Sequence, residues 1–123
     1  RILITHPHGA VMKMAALRSE SSTPEKIQTQ RVIDTLDLIS VWKANIPKSK
    51  LEVRLIDYLP PYSITIIHPI SATDIPHCLV RLNGFRSSTT TAPAITPDPT
   101  KDKEWFEYFS DQFEKMWDCA ESI

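Results

Sequence analysis

A short apolar run, two helical stretches and a second strand-like run, in that order, constrain this chain more than any other feature. Ile2-Leu3-Ile4-Thr5 is β-prone and is closed by His6-Pro7-His8-Gly9, the pattern of a buried central strand followed by a turn. Ala10 to Arg18 reads as a helix whose apolar contacts come from Val11, Met14, Ala15 and Leu17. Residues 19–23 are a polar break, and Thr23-Pro24-Glu25 starts a second helix with a hydroxyl cap, a proline at the first helical position and an acid in the first turn. That helix is expected to run to about Asn45. Val32, Leu36 and Ile39 lie at i, i+4 and i+7 on its buried stripe, which Ile33, Trp42 and Ile46 widen, while Gln28, Gln30, Asp34 and Asp37 mostly decorate the other face. Leu51 to Ile56 then alternates as a strand with one wetter face. Two strands joined through helices are expected to lie parallel, with a right-handed crossover.

The remainder favours short antiparallel connections. Ser63 to His68 is a third strand stopped by Pro69, and His77 to Leu82 is a fourth, followed by the turn signal Asn83-Gly84. Ser87 to Asp98, rich in Ser, Thr and Pro, is a loop with one edge strand around Ala94-Ile95. The last helix is expected from about Asp102 to Glu121. There Phe106, Phe109, Phe113, Met116 or Trp117, and Ala120 repeat at helical spacing beside Trp105. An aromatic stripe this regular is a packing face, so the helix is expected to cover one face of the sheet. The order β-α-α-β-β-β-(β)-α implies an α/β fold, a mixed β-sheet flanked by helices.

At 123 residues the chain fits one domain, with an ordinary globular balance of 41% hydrophobic and 24% charged residues. A net charge of −1 from 14 basic and 15 acidic residues gives no general pull toward nucleic acid or anionic membrane, so direct nucleic-acid binding is not expected. Cys78 in a strand and Cys119 in a helix are expected to be reduced thiols, since a domain of this size needs no staple. No apolar run reaches the roughly 18 residues of a membrane span, and no signal-peptide pattern opens the sequence, so a cytoplasmic or otherwise intracellular setting is expected. Arg1 rather than Met stands first and a strand pattern follows at once, which suggests one domain of a larger parent protein whose other domains are partners.

Ligands of open α/β sheets sit outside the carboxyl ends of the parallel strands. That edge collects Thr5, His6 and His8 after the first strand and Asp57 and Tyr58 after the second, and His68 joins them if the third strand points the same way. Gly9 and Ala10 would offer free N–H groups at a helix N-terminus, and Arg81 and Arg86, flanking the Asn83-Gly84 turn, would clasp an anion. The functional expectation is a pocket for a small phosphate- or carboxylate-bearing ligand. The plainer alternative is that the histidines line a strand-to-helix turn and Asp57 caps a loop. Four histidines without acidic or cysteine partners at recognised spacing argue for no metal, and no cofactor is expected. With only Gly9 and Gly84, the chain lacks a Gly-x-Ser-x-Gly elbow, a dinucleotide fingerprint and a P-loop.

Several segments share one order: Ile2-Leu3-Ile4-Thr5-His6-Pro7, the long second helix, Leu51 through Asp57-Tyr58-Leu59-Pro60, and Trp105-Phe106-Glu107-Tyr108-Phe109 through Phe113-Glu114-Lys115-Met116-Trp117. That order resembles the divergent phospholipase-D-like domains of larger regulatory and signalling proteins and covers most of the chain. The resemblance implies a single domain over residues 1–123, a helix-flanked sheet equivalent to half of a two-lobed phospholipase D. Active members carry His-x-Lys, in which the histidine attacks phosphorus and the lysine holds the phosphate. Here His6, His8, His68 and His77 are followed two residues later by His8, Ala10, Ile70 and Leu79, so no catalytic residue carries over. The expectation is a pseudo-enzyme: a sensing or regulatory domain that binds a nucleotide or phospho-metabolite and reports to its neighbours. The alternative is a protein-interaction module, including a homodimer, which exposed Trp42 or Trp105 would favour. A third reading is an enzyme of unrecognised mechanism using His6, His8 and Asp57.

Overall fold

The computed structural model describes residues 1–20, 23–47, 51–71, 73–86, 88 and 90–123. Residues 21 and 22 of the polar break and 87 and 89 of the Ser/Thr-rich loop lie outside that description. The elements are β1 (Ile2–Thr5), α1 (Ala10–Arg18), α2 (Glu25–Asn45), β2 (Val53–Ile56), β3 (Tyr62–Ile67), β4 (His77–Leu82), β5 (Ala94–Ile95), α3 (Lys103–Asp118) and β6 (Glu121–Ser122). The fold is mixed α/β.

The strands form two small sheets where one mixed sheet was expected. In the first, β1 pairs parallel with β2 in the register Ile2↔Val53 to Thr5↔Ile56, and β6 pairs antiparallel with β2. In the second, β3, β4 and β5 form an antiparallel meander. Pro60 and Pro61 account for the separation locally. They lack N–H donors, and Pro61 instead accepts a 2.7 Å bond from Asn83 N, which starts the β3–β4 ladder rather than extending the first sheet.

Helix α3 ties the sheets together. Its first half lays Phe109 against buried Cys78 and Val80, with Tyr62, Ile64, Ile66 and Phe106 around them. Its second half serves the other sheet: Phe113 and Trp117 stack at 5.9 Å, and the Arg54 guanidinium of β2 lies 4.6 Å from the Trp117 ring. Arg54 Nη1 also donates to Trp117 O at 2.8 Å, so the wetter face of β2 is partly covered by a cation–π contact, and Arg54 is half-buried. Phe113, expected in the core, is half-buried.

α3 ends at Asp118, three residues before the expected end. The exposed Cys119 is its C-cap and not a helical residue. The chain turns there because residues 121 and 122 gain ladder bonds on the free edge of β2, and Ile123 N bonds Val53 O at 3.4 Å. Pro24 stands at the N-cap of α2, one position earlier than expected, and its carbonyl accepts from Ile27 N and Gln28 N. Burial of Cys78 pushes its thiol pKa up, which suits an inert core thiol.

The faces of α1 and α2 differ from expectation. Val11 and Met12 are the buried residues of α1, whereas Met14 and Leu17 are exposed. On α2, Ile39 is buried and Val32, Ile33 and Leu36 are half-buried, but Trp42 and Ile46 lie outside. Apolar residues run round both helices, so periodicity does not select the inward face.

Arg1 Nη1 and Nη2 form a fork on the Glu114 carboxylate, with Nη1 2.6 Å from Oε2. This bond and the charge of Arg1 hold the Glu114 pKa below the ordinary carboxylate range. The folded pKa is the lower one, so the contribution is present above the unfolded value and is lost as pH falls through the folded value. Both partners are exposed, so Glu114→Gln is expected to cost less than about 1 kcal/mol at pH 7. Urea midpoints at pH 7 and in acid check this, and the difference between variant and parent should shrink as pH falls through the folded value.

Candidate functional site

The parallel pairing of β1 and β2 sends both chains out of the sheet on the same side. Thr5 opposes Ile56, and His6 N donates to Ile56 O at 2.8 Å, which carries the ladder one residue beyond β1. Pro7 is buried and turns the chain. His8 N then bonds His6 Nδ1 at 3.3 Å, and the two rings meet edge-on at 5.6 Å. Nδ1 of His6 therefore acts as the acceptor, leaving Nε2 for a proton or a ligand.

Gly9 caps α1 with φ 90 and ψ −169, a backbone that a side chain would strain. No side chain caps the first turn of α1, and no acid lies within it. Asp57 approaches from the other strand: its Oδ1 is 3.8 Å from where a Cβ on Gly9 would sit. The structure thus brings His6, His8, Gly9 and Asp57 together at the carboxyl edge, with Thr5 behind them and exposed Tyr58 next in the chain. A carboxylate there complements the positive end of α1, and an incoming anion would have to displace it or pair through a histidine.

The other candidates lie elsewhere. His68 follows β3 at the opposite end of β1: its charge reaches Glu114, which is ion-paired with Arg1 at the start of β1. It is therefore separate from the His6 cluster, because β3 runs against β1. The Arg86 guanidinium lies 5.2 Å over the Phe85 ring, and Arg81 is half-buried on β4 opposite Ser63. Among the described residues no group of three His, Cys, Asp or Glu side chains is placed to hold a metal ion.

Hollows lined by described residues mark the surface away from His6 and His8. One of about 340 Å³ includes Lys43, Ile46, Leu51 and Arg54, and a polar one of about 400 Å³ includes Arg18, Arg31, Gln28 and Ser88. The third, of about 670 Å³, runs between β1 and β3 and is lined by Thr5, Arg18 and His68 among others.

Arg18, which sequence reasoning missed, borders the last two. It is half-buried, Nη1 donates to Pro60 O at 2.5 Å, and burial lowers its pKa. Its neighbours come from β2's exit and from the loop after β4, so no local pattern in the sequence announces it.

Comparison with protein-family models, curated proteins and solved structures finds no match to this chain. No helix among the described residues is long and apolar enough to cross a membrane.

Proposed function

We propose that the chain is a non-catalytic docking module that works through protein–protein contact. The observation that carries this reading is the outer face of α2. Leu38, Val41 and Trp42, spaced i, i+3 and i+4 on α2, are all exposed, with Trp42 at 45%, and Ile46 at its C-cap is exposed beside them, while the adjacent Ile39 is buried. A contiguous apolar row left exposed on a helix marks a contact surface. Trp105, 59% exposed on α3, supports the same reading. The partner in the simplest form is a second copy of the chain.

Sedimentation across a concentration series tests it. Trp42→Ala is expected to weaken self-association by roughly 30-fold, as for a central aromatic anchor, and Val41→Glu to abolish it without unfolding an exposed position. A parent chain that stays monomeric throughout the series would remove the dimer.

A second reading, a phospholipase-D-like regulatory domain sensing a nucleotide or phosphate-bearing ligand, is favoured by the gathering of His6, His8 and Gly9 beside an uncapped helix start. Titration with nucleotide to millimolar concentration is expected to shift the amide resonances of residues 5–10 and Asp57. Unmoved resonances there would dismiss this reading and leave the docking module.

A further inference from the structure

The groove between β1 and β3 has a backbone on each side that is turned toward it and unpaired among the described residues. Ile2 N bonds Glu52 O at 2.9 Å and His6 N bonds Ile56 O at 2.8 Å, so the even-numbered residues of β1 face β2. The N–H and C=O of Leu3 and Thr5 therefore point the other way. On the second sheet, the Asn83 N to Pro61 O bond sets the phase of the β3–β4 ladder: Ser63↔Arg81 and Thr65↔Leu79 are hydrogen-bonded pairs. The bond from Leu82 N to Pro93 O, 2.9 Å, agrees, since it turns the even-numbered residues of β4 toward β5. The backbones of Tyr62, Ile64 and Ile66 are left pointing away from β4. All five edge residues line the same groove of about 670 Å³, and Phe113 and Met116 of α3 line it with them.

Two facing rows of N–H and C=O groups are met together by one chemical object, an extended polypeptide backbone. Its side chains are specified too. On β3, Tyr62, Ile64 and Ile66 pack toward α3 while Ser63 and Thr65 are exposed on the other face. A strand laid beside β3 would place every second side chain over Phe113 and Met116 and the others beside Ser63 and Thr65. Because β3 runs against β1, it would lie parallel to one and antiparallel to the other.

We propose that this groove receives a strand from a partner polypeptide, apolar at every second residue and polar between. The strand would join the two sheets into one with the order β6-β2-β1-partner-β3-β4-β5. It adds main-chain pairing for affinity and alternate side chains for selectivity, as strand addition does elsewhere. It does not depend on the α2 face, and the two readings fail separately, one by sedimentation and the other by amide exchange.

The probe is a nine-residue peptide alternating valine and threonine between terminal lysines, fused ahead of Arg1 by a ten-residue Gly/Ser linker. Arg1 lines the groove, and such a linker spans about 17 Å, which keeps the peptide at high effective concentration. The control peptide carries proline in place of every valine and cannot donate along one edge. Exchange of the amides of Leu3, Thr5, Tyr62, Ile64 and Ile66 is expected to slow at least about tenfold with the alternating peptide and to stay unchanged with the control. Equal exchange in the two fusions would overturn the proposal. So would slow exchange in the unfused chain that appears only as concentration rises, because the occupant would then be a second copy.

Discussion

Trp117→Ala is expected to destabilise the fold by about 3–5 kcal/mol, the range for removing a large buried aromatic. Trp117 is only 4% exposed and carries five separate contacts. It stacks on Phe113, lies beneath the guanidiniums of Arg54 and Arg1, and its carbonyl accepts from Arg54 Nη1 and Ala120 N. The alanine variant keeps the carbonyl and loses the ring, leaving a cavity under β2 and the Arg54 guanidinium without its aromatic face, while Arg1 keeps the Phe113 ring. Trp117→Phe keeps a ring and should lose less. Urea unfolding checks both, with the midpoint moving and the slope holding. A loss under about 1 kcal/mol for the alanine variant would remove the second half of α3 from the core.

Val80→Asp should be more severe. Val80 is 0% exposed in the centre of β4, between Cys78 and Phe109, and no cation is found in that cluster. An unpaired carboxylate there is expected to cost several kcal/mol, against a total domain stability of about 5–15 kcal/mol. Burial raises the folded pKa of the new acid above its unfolded value. The penalty is therefore fully present above the folded pKa and fades as pH falls toward the unfolded value near 4. Circular dichroism melts at pH 7 and pH 4.5 should show the variant largely unfolded at the first and closer to its parent at the second. A variant that melts with its parent at pH 7 would mean that β4 is not central to the second sheet.

These two substitutions probe separate packing centres, and the sequence did not announce that there were two. The aromatic repeat Phe106, Phe109, Phe113, Trp117 predicts one face over one sheet. Its members divide: Phe109 belongs to Cys78 and Val80, Trp117 to Arg54. Helical spacing reports which residues share a face, not how many sheets lie under it. The candidate site shows the same division. The short runs ending at Thr5 and Ile56 were enough to place His6 and Asp57 at one edge, because helical connections make strands parallel. His68 depended on the direction of β3, which the short link through Pro60 and Pro61 does not reveal.

What the sequence determined by itself was mostly local: the bounds of α1 and β4 and the absence of His-x-Lys and glycine-rich motifs, with the parallel partnership of β1 and β2 following from the helices that join them. The local bounds follow from periodicity, caps and proline positions within a few residues of each other. The tertiary structure alone decided the break between the sheets, the capture of residues 121 and 122 by β2, the exposure of Trp42, and the half-buried Arg18 beneath Pro60. Each of these depends on which surfaces meet across long stretches of chain. α1 and α2 are apolar on more than one side, so only packing determines which side faces inward.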